Sequence, residues 1–104
     1  MAGERDETDG AVKERVRTEK EDPPLYAVVL LNDDYSTMNF VVHVLETLFQ
    51  KEPAEAYRIM MQVHRNGRGV AGVYPWEVAE TKVDVVTTMA RDASYPLRAT
   101  IEDA

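Results

Sequence analysis

Apolar and polar positions along this chain change period several times, and each change marks an element. From Leu25 to Leu31 the run LYAVVLL is β-branched and aliphatic and stops at Asn32, Asp33 and Asp34, which predicts a buried strand followed by a turn. Beyond the turn, Val41, Val44, Leu45 and Leu48 recur at three- and four-residue spacing with Phe40 and Phe49 beside them. That spacing predicts an amphipathic helix, capped by Ser36 or Thr37, that runs to about Gln50. A second helix is expected from Pro53, a residue suited to the first helical position, to Asn66 and Gly67, where glycine can adopt the left-handed terminating conformation. Its stripe is Ala56, Ile59, Met60 and Val63.

Gly67, Gly69 and Gly72 punctuate the next stretch, and Val70 to Tyr74 predicts a strand. Pro75 opens a third helix with Ala79, Val83, Val86 and Ala90 on one face, and a turn from Asp92 to Pro96 leads to a last strand, Leu97 to Ile101. Three strands and three helices in the order strand, helix, helix, strand, helix, strand are most economically arranged as an α+β domain whose sheet is covered on one face by helices. Residues 1–22 differ from all of this. They mix both charges with almost no large apolar side chain, so they predict a disordered tail, and Pro23 and Pro24 separate it from a single domain over residues 23–104.

Composition narrows the chemistry. The 104 residues include no cysteine, which removes disulfides, thiolate zinc sites and Cys nucleophiles. A formal net charge of -7, with arginines scattered among acids, argues against nucleic-acid binding. No apolar stretch reaches the roughly 20 residues needed to span a bilayer, and the charged beginning has no apolar signal-like segment, so a soluble intracellular protein is expected. No spare apolar surface is evident, and a monomer is expected.

Three segments remain as candidates for chemistry. Asn32, Asp33 and Asp34 lie at a strand end before a capped helix, where turn formation alone would explain them. Two carboxylates and an amide at one loop also suit a protonated amino group. His64 follows Met60 by four residues and shares its helix face; it is either a histidine at the core margin or an acceptor beside a methionine-lined pocket. His43 falls among Glu46, Thr47 and Gln50 and is expected in solvent, so the two histidines are not expected to converge on a metal with Asp33 and Asp34. An acid/base enzyme using Asp34 and His64 would lack any Ser, Cys or phosphate-cradling signature. The third segment, from Trp76 to Lys82, is either a solvated helix start or a docking patch.

Taken in order, LLNDDYSTMNFVVHVL, MMQVHRNGRGVAGVY, EVAETK and YPLRATIE resemble the ClpS family of adaptors that deliver proteins to Clp AAA+ proteases, over about Pro23 to Ala104. The resemblance implies a three-stranded antiparallel sheet packed against three helices, like the C-terminal domain of the large-subunit ribosomal stalk protein. It implies no catalytic activity, no cofactor and no metal. Asn32, Asp34 and His64, with Asp33 adjoining, match the residues that hold a substrate's α-amino group. Ser36, Met38, Val41, Met60, Val63 and Leu97 match the pocket for a large first side chain (Leu, Phe, Tyr or Trp), and Met38 matches the gate against β-branched residues. Glu77, Glu80, Thr81 and Lys82 match the face that docks on the N-terminal domain of a ClpA-like or ClpC-like unfoldase. The expected setting is the bacterial cytoplasm. Ser36 stands where Thr is usual and Thr37 where Pro is frequent, while Pro75 and Trp76 alter the helix start beside the docking patch. The alternative is a stalk-like domain that contacts an unfoldase or ribosome without reading amino termini.

Overall fold

The computed structural model describes residues 22–104, so the expected tail lies outside the described residues except for Asp22. The elements are β1 (Leu25–Leu31), α1 (Met38–Thr47), α2 (Pro53–Asn66), β2 (Arg68–Pro75), α3 (Trp76–Asp92) and β3 (Arg98–Asp103). The three strands form an antiparallel sheet in the order β2-β1-β3, and the element order is the expected β-α-α-β-α-β.

β1 is the central strand, which is why its sequence is apolar at successive rather than alternate positions. Val28 and Leu30 are fully buried in the core that all three helices share. Val29, one residue out of phase, points to the other face and is fully buried there too. Arg68 stands opposite Leu31 on β2, Glu102 stands opposite Ala27 on β3, and the two side chains form an ion pair. That pair crosses β1 diagonally above Val29 and closes the face over it.

Local chemistry sets the helix limits. The Thr37 hydroxyl accepts from the Phe40 N–H at 3.1 Å and starts α1. The helix ends at Thr47, three residues before the expected Gln50, because Gln50 takes a positive φ of 56° that a helix cannot continue. Pro53 is the first residue of α2, and Gly67, at φ 87°, ends it with its N–H donating to Val63 O.

β2 is longer than the expected Val70 to Tyr74 because pairing with β1 runs through a bulge: Val28 pairs with Gly72 but Val29 with Val70, leaving Ala71 as the extra residue. Pro75 is the N-cap of α3 rather than its first helical residue. Ala79, Val86 and Ala90 are buried as expected, and Val83 packs half-buried against them. β3 begins at Arg98, one residue later than expected, and Leu97 is left as a buried core side chain just before it.

Candidate functional site

Where β1 ends, the Asn32 N–H donates to Gly67 O at 2.9 Å, so the loop after the strand is fastened to the turn after α2. Asp33 shapes that loop. Its Oδ1 accepts from the N–H groups of Tyr35 at 2.8 Å and Ser36 at 2.6 Å, and its Oδ2 accepts from the Ser36 hydroxyl at 2.8 Å. Burial pushes the Asp33 carboxyl upward. The hydrogen bonds from Ser36 and Tyr35, together with the charge of Arg98, outweigh burial and hold it below its ordinary 3.8.

Asp34 is different. It is exposed, and among the described residues its carboxylate takes part in no hydrogen bond or ion pair. Of two adjacent acids, one builds the turn and the other, among the described residues, has no part in it.

Two helices complete the site. α1 supplies Met38 and Val41, one turn apart, and α2 supplies Met60, Val63 and His64 near its C-terminal end. With Asn32, Asp33, Asp34 and Ser36 these line one cavity of about 280 Å³. Val41, Met60 and Val63 are buried and form its floor, while Asn32, Asp34 and His64 are exposed at its rim. Met38 is 44% exposed and stands at the mouth. Drug-sized ligands generally occupy pockets of roughly 300 to 1,000 Å³, so this one suits a single side chain and a small charged group. An apolar floor under a carboxylate, an amide and an imidazole favours an organic cation with an apolar substituent.

Leu97 is not among the lining residues. Its side chain is buried in the core and borders a separate cavity with Arg91 and Tyr95. His43 is exposed and borders yet another cavity with Phe40 and Met89, away from His64. Among the described residues no group of three or more His, Cys, Asp or Glu side chains could hold a metal ion, and no helix is long and apolar enough to cross a membrane.

The α3 candidates divide in the same way. Glu77, Glu80 and Thr81 are exposed, and the Thr81 hydroxyl donates to Glu77 O at 3.0 Å. Lys82 is half-buried. Its ammonium donates to Leu48 O at 2.8 Å, at the C-terminus of α1, and lies 5.9 Å and 5.5 Å from the ring centres of Phe49 and Tyr74. No spacing pattern signals this contact, since the partners lie 34 residues apart. Leu25 pairs with Pro75, so α3 begins at the opposite end of β1 from Asn32, about 20 Å away at the usual rise per residue.

This fold and this cleft define the class: a small α+β domain with a cavity that has an apolar floor and a polar rim. The family described as ATP-dependent Clp protease adaptor protein ClpS matches residues 21–100. The ATP-dependent Clp protease adapter protein ClpS of Maricaulis maris is 55% identical over 92 residues, covering 88% of this chain and 83% of the relative. The ClpS of Paraburkholderia xenovorans is 46% identical over 99 residues, or 95% of each chain. Among solved structures, Agrobacterium tumefaciens ClpS2 bound to L-phenylalaninamide superposes with a TM-score of 0.76 at 40% identity, over 80% of this chain and all of that one. The chain belongs to the ClpS family of Clp protease adaptors.

Proposed function

We propose that this adaptor reads the amino termini of proteins destined for a Clp protease. The α-amino group of the substrate is held at the rim of the 280 Å³ cavity, and its first side chain fills the floor. A free α-amino group has a pKa of roughly 7.7 to 8.0, so at neutral pH it is mostly an ammonium with three N–H donors. Asp34 supplies the opposing charge, while Asn32 and His64 supply directional acceptors. Asp33 and Ser36 hold the loop in place.

The observation that carries this reading is the convergence of a carboxylate with no partner among the described residues, an amide and an imidazole on a cavity floored by Val41, Met60 and Val63. L-phenylalaninamide, the ligand of the ClpS2 structure, combines the same two features: a free amine and a large apolar side chain. Leu, Phe, Tyr and Trp are the favoured first residues. Met38 at the mouth excludes branching at Cβ, so Ile and Val bind poorly although they are apolar.

Glu77, Glu80 and Thr81, with Lys82 at their edge, dock on the N-terminal domain of a ClpA-like or ClpC-like unfoldase. Because α3 starts about 20 Å from Asn32 along β1, substrate and unfoldase can be held together. Residues 23–104 carry both surfaces, and the protein acts as a monomer in the bacterial cytoplasm.

Fluorescence anisotropy with labelled peptides that differ only at the amino terminus tests the reading. Leu and Phe should bind, while Val, Gly and N-acetyl-Leu should not. Equal binding of all five, or of none, would instead favour a stalk-like module that does not read amino termini.

A further inference from the structure

Sulfur chemistry in this protein belongs to methionine. The chain has no cysteine, and among the described residues its methionines are Met38, Met60, Met61 and Met89. Their surroundings differ. Met60 is 3% exposed in the core, and Met61 and Met89 are half-buried against it. Met38, at 44%, is the most exposed of the four.

Met38 is the first residue of α1 and stands at the mouth of the 280 Å³ cavity, above the floor of Val41, Met60 and Val63. A first side chain that enters the cavity covers it. A thioether is apolar and loses little by being covered, whereas a sulfoxide is a polar acceptor that water solvates strongly. With the cavity empty, a Met38 sulfoxide stays hydrated, so the fold tolerates it. An entering Leu or Phe side chain strips that water and offers no donor in return, so the cost falls on binding. The reverse holds for Met60, where the added oxygen would be forced into the packed core and the cost would fall on stability.

We propose that Met38 is a reversible oxidation site whose sulfoxide closes the cavity to large apolar first residues. The oxidant is hydrogen peroxide. A lone pair of the Met38 sulfur attacks one peroxide oxygen, and an S–O bond forms as the O–O bond breaks. The hydroxide that leaves takes the proton from the sulfur-bound oxygen and departs as water. Sulfur loses two electrons and the peroxide gains them. A methionine sulfoxide reductase reverses the change and reopens the cavity. The inference rests on the amino-terminus reading of this cavity and extends it from what is bound to when it is bound.

Met38 is the only methionine between Lys20 and Lys51, so the tryptic peptide 21–51 reports it, while peptides 59–65 and 83–91 report Met60 with Met61, and Met89. The full-length protein, treated with dilute hydrogen peroxide, should gain an oxygen on peptide 21–51 before either of the others. A saturating Leu peptide with a free amino terminus should slow that gain. At this stage the oxidised protein should bind labelled Leu and Phe peptides about tenfold or more weakly, melt at the same temperature as before, and recover its affinity with methionine sulfoxide reductase. Met38→Leu, whatever its starting affinity, should show no change on the same treatment. Full oxidation of peptide 21–51 with undiminished affinity would overturn the proposal, as would equal sensitivity of Met38→Leu or faster oxidation of peptide 59–65. Failure of the untreated protein to bind either peptide would overturn the amino-terminus reading itself, and this inference with it.

Discussion

The Asn32 N–H and the Gly67 carbonyl are joined at 2.9 Å, and through this bond the loop that carries Asp34 is held against the helix end that carries His64. The carbonyl is aimed by the positive φ of Gly67, 87°. A Cβ added there would meet nothing within 4 Å, so Gly67→Ala brings backbone strain without a clash. It should cost about 1 kcal/mol of stability in urea denaturation. The same variant should weaken Leu-peptide binding several-fold by anisotropy, because the two halves of the rim lose their common anchor. Full affinity at reduced stability would show that the rim does not depend on this bond.

Asp33 and Asp34 are neighbours with opposite expected phenotypes. Asp34→Ala removes an exposed carboxylate with no partner among the described residues, so stability should stay within about 0.5 kcal/mol. A charge-assisted contact is worth about 1.5 to 3 kcal/mol, and peptide affinity should therefore fall by about tenfold or more. Asp33→Ala deletes the acceptor of three hydrogen bonds and should lower stability by about 1 to 2 kcal/mol. Paired denaturation and anisotropy measurements on the two variants separate the roles.

The lowered pKa of Asp33 also sets a direction with pH. A carboxyl held below its ordinary value in the folded state contributes stability that is complete above that value, 3.8, and is lost as pH falls through the folded-state pKa. Asp33→Asn should be less stable than the parent at neutral pH, and the gap should close as both are acidified below 3.8. Urea midpoints measured in steps from neutral to strongly acidic pH will show whether the two curves converge.

Lys82 tests how far a surface reading of α3 holds. α1 has no basic residue in its last turn, and the ammonium of Lys82 supplies that charge from another helix by donating to Leu48 O. Lys82→Met keeps the aliphatic stem but leaves the carbonyl unpaired and empties the space beside Phe49 and Tyr74. A loss of about 1 to 2 kcal/mol is expected, with partial recovery in Lys82→Arg. Glu80→Ala, at an exposed position, should leave stability unchanged. Thermal melts of the three variants, run before any binding assay with an unfoldase, distinguish a docking residue from a helix cap.

Much of this was legible in the residues because it is local. Thr37, Pro53 and Gly67 act within one turn of themselves, so the starts of α1 and α2 and the end of α2 could be read directly. The end of α1 could not, since Leu48 and Phe49 continue the apolar stripe past the point where Gln50 turns the backbone. Periodicity also misses a bulge: the extra residue at Ala71 shifts the alternation of β2 and conceals its full length. At the site, Met60 and His64 announced a shared face by spacing, whereas Met38 lies outside the stripe of Val41, Val44, Leu45 and Leu48 and was indicated only by the family resemblance. The division of labour between Asp33 and Asp34, and the capture of Lys82 by Leu48, depend on contacts that no spacing rule describes.

Val63 links the cavity floor to the sheet and offers the most discriminating substitution. On one side it lines the 280 Å³ cavity; on the other, its Cγ2 would lie 2.9 Å from a Cβ placed on Gly69, with Ile59 O at 3.4 Å. The backbone carbonyl cannot retreat easily, so Gly69→Ala should displace the Val63 side chain, at a cost of about 1 to 3 kcal/mol for overpacking. Displacement away from β2 moves Val63 into the cavity and shortens its floor. Peptides beginning with Trp or Tyr should then lose more affinity than those beginning with Leu, although Gly69 touches no part of the ligand. Compensation by Val63→Ala in the double variant should restore both stability and the relative binding of Trp, since the smaller side chain gives the new methyl its space. Equal losses for Trp and Leu peptides, or a double variant no better than the single, would show that the strand shifts instead and that the cavity floor is insulated from β2.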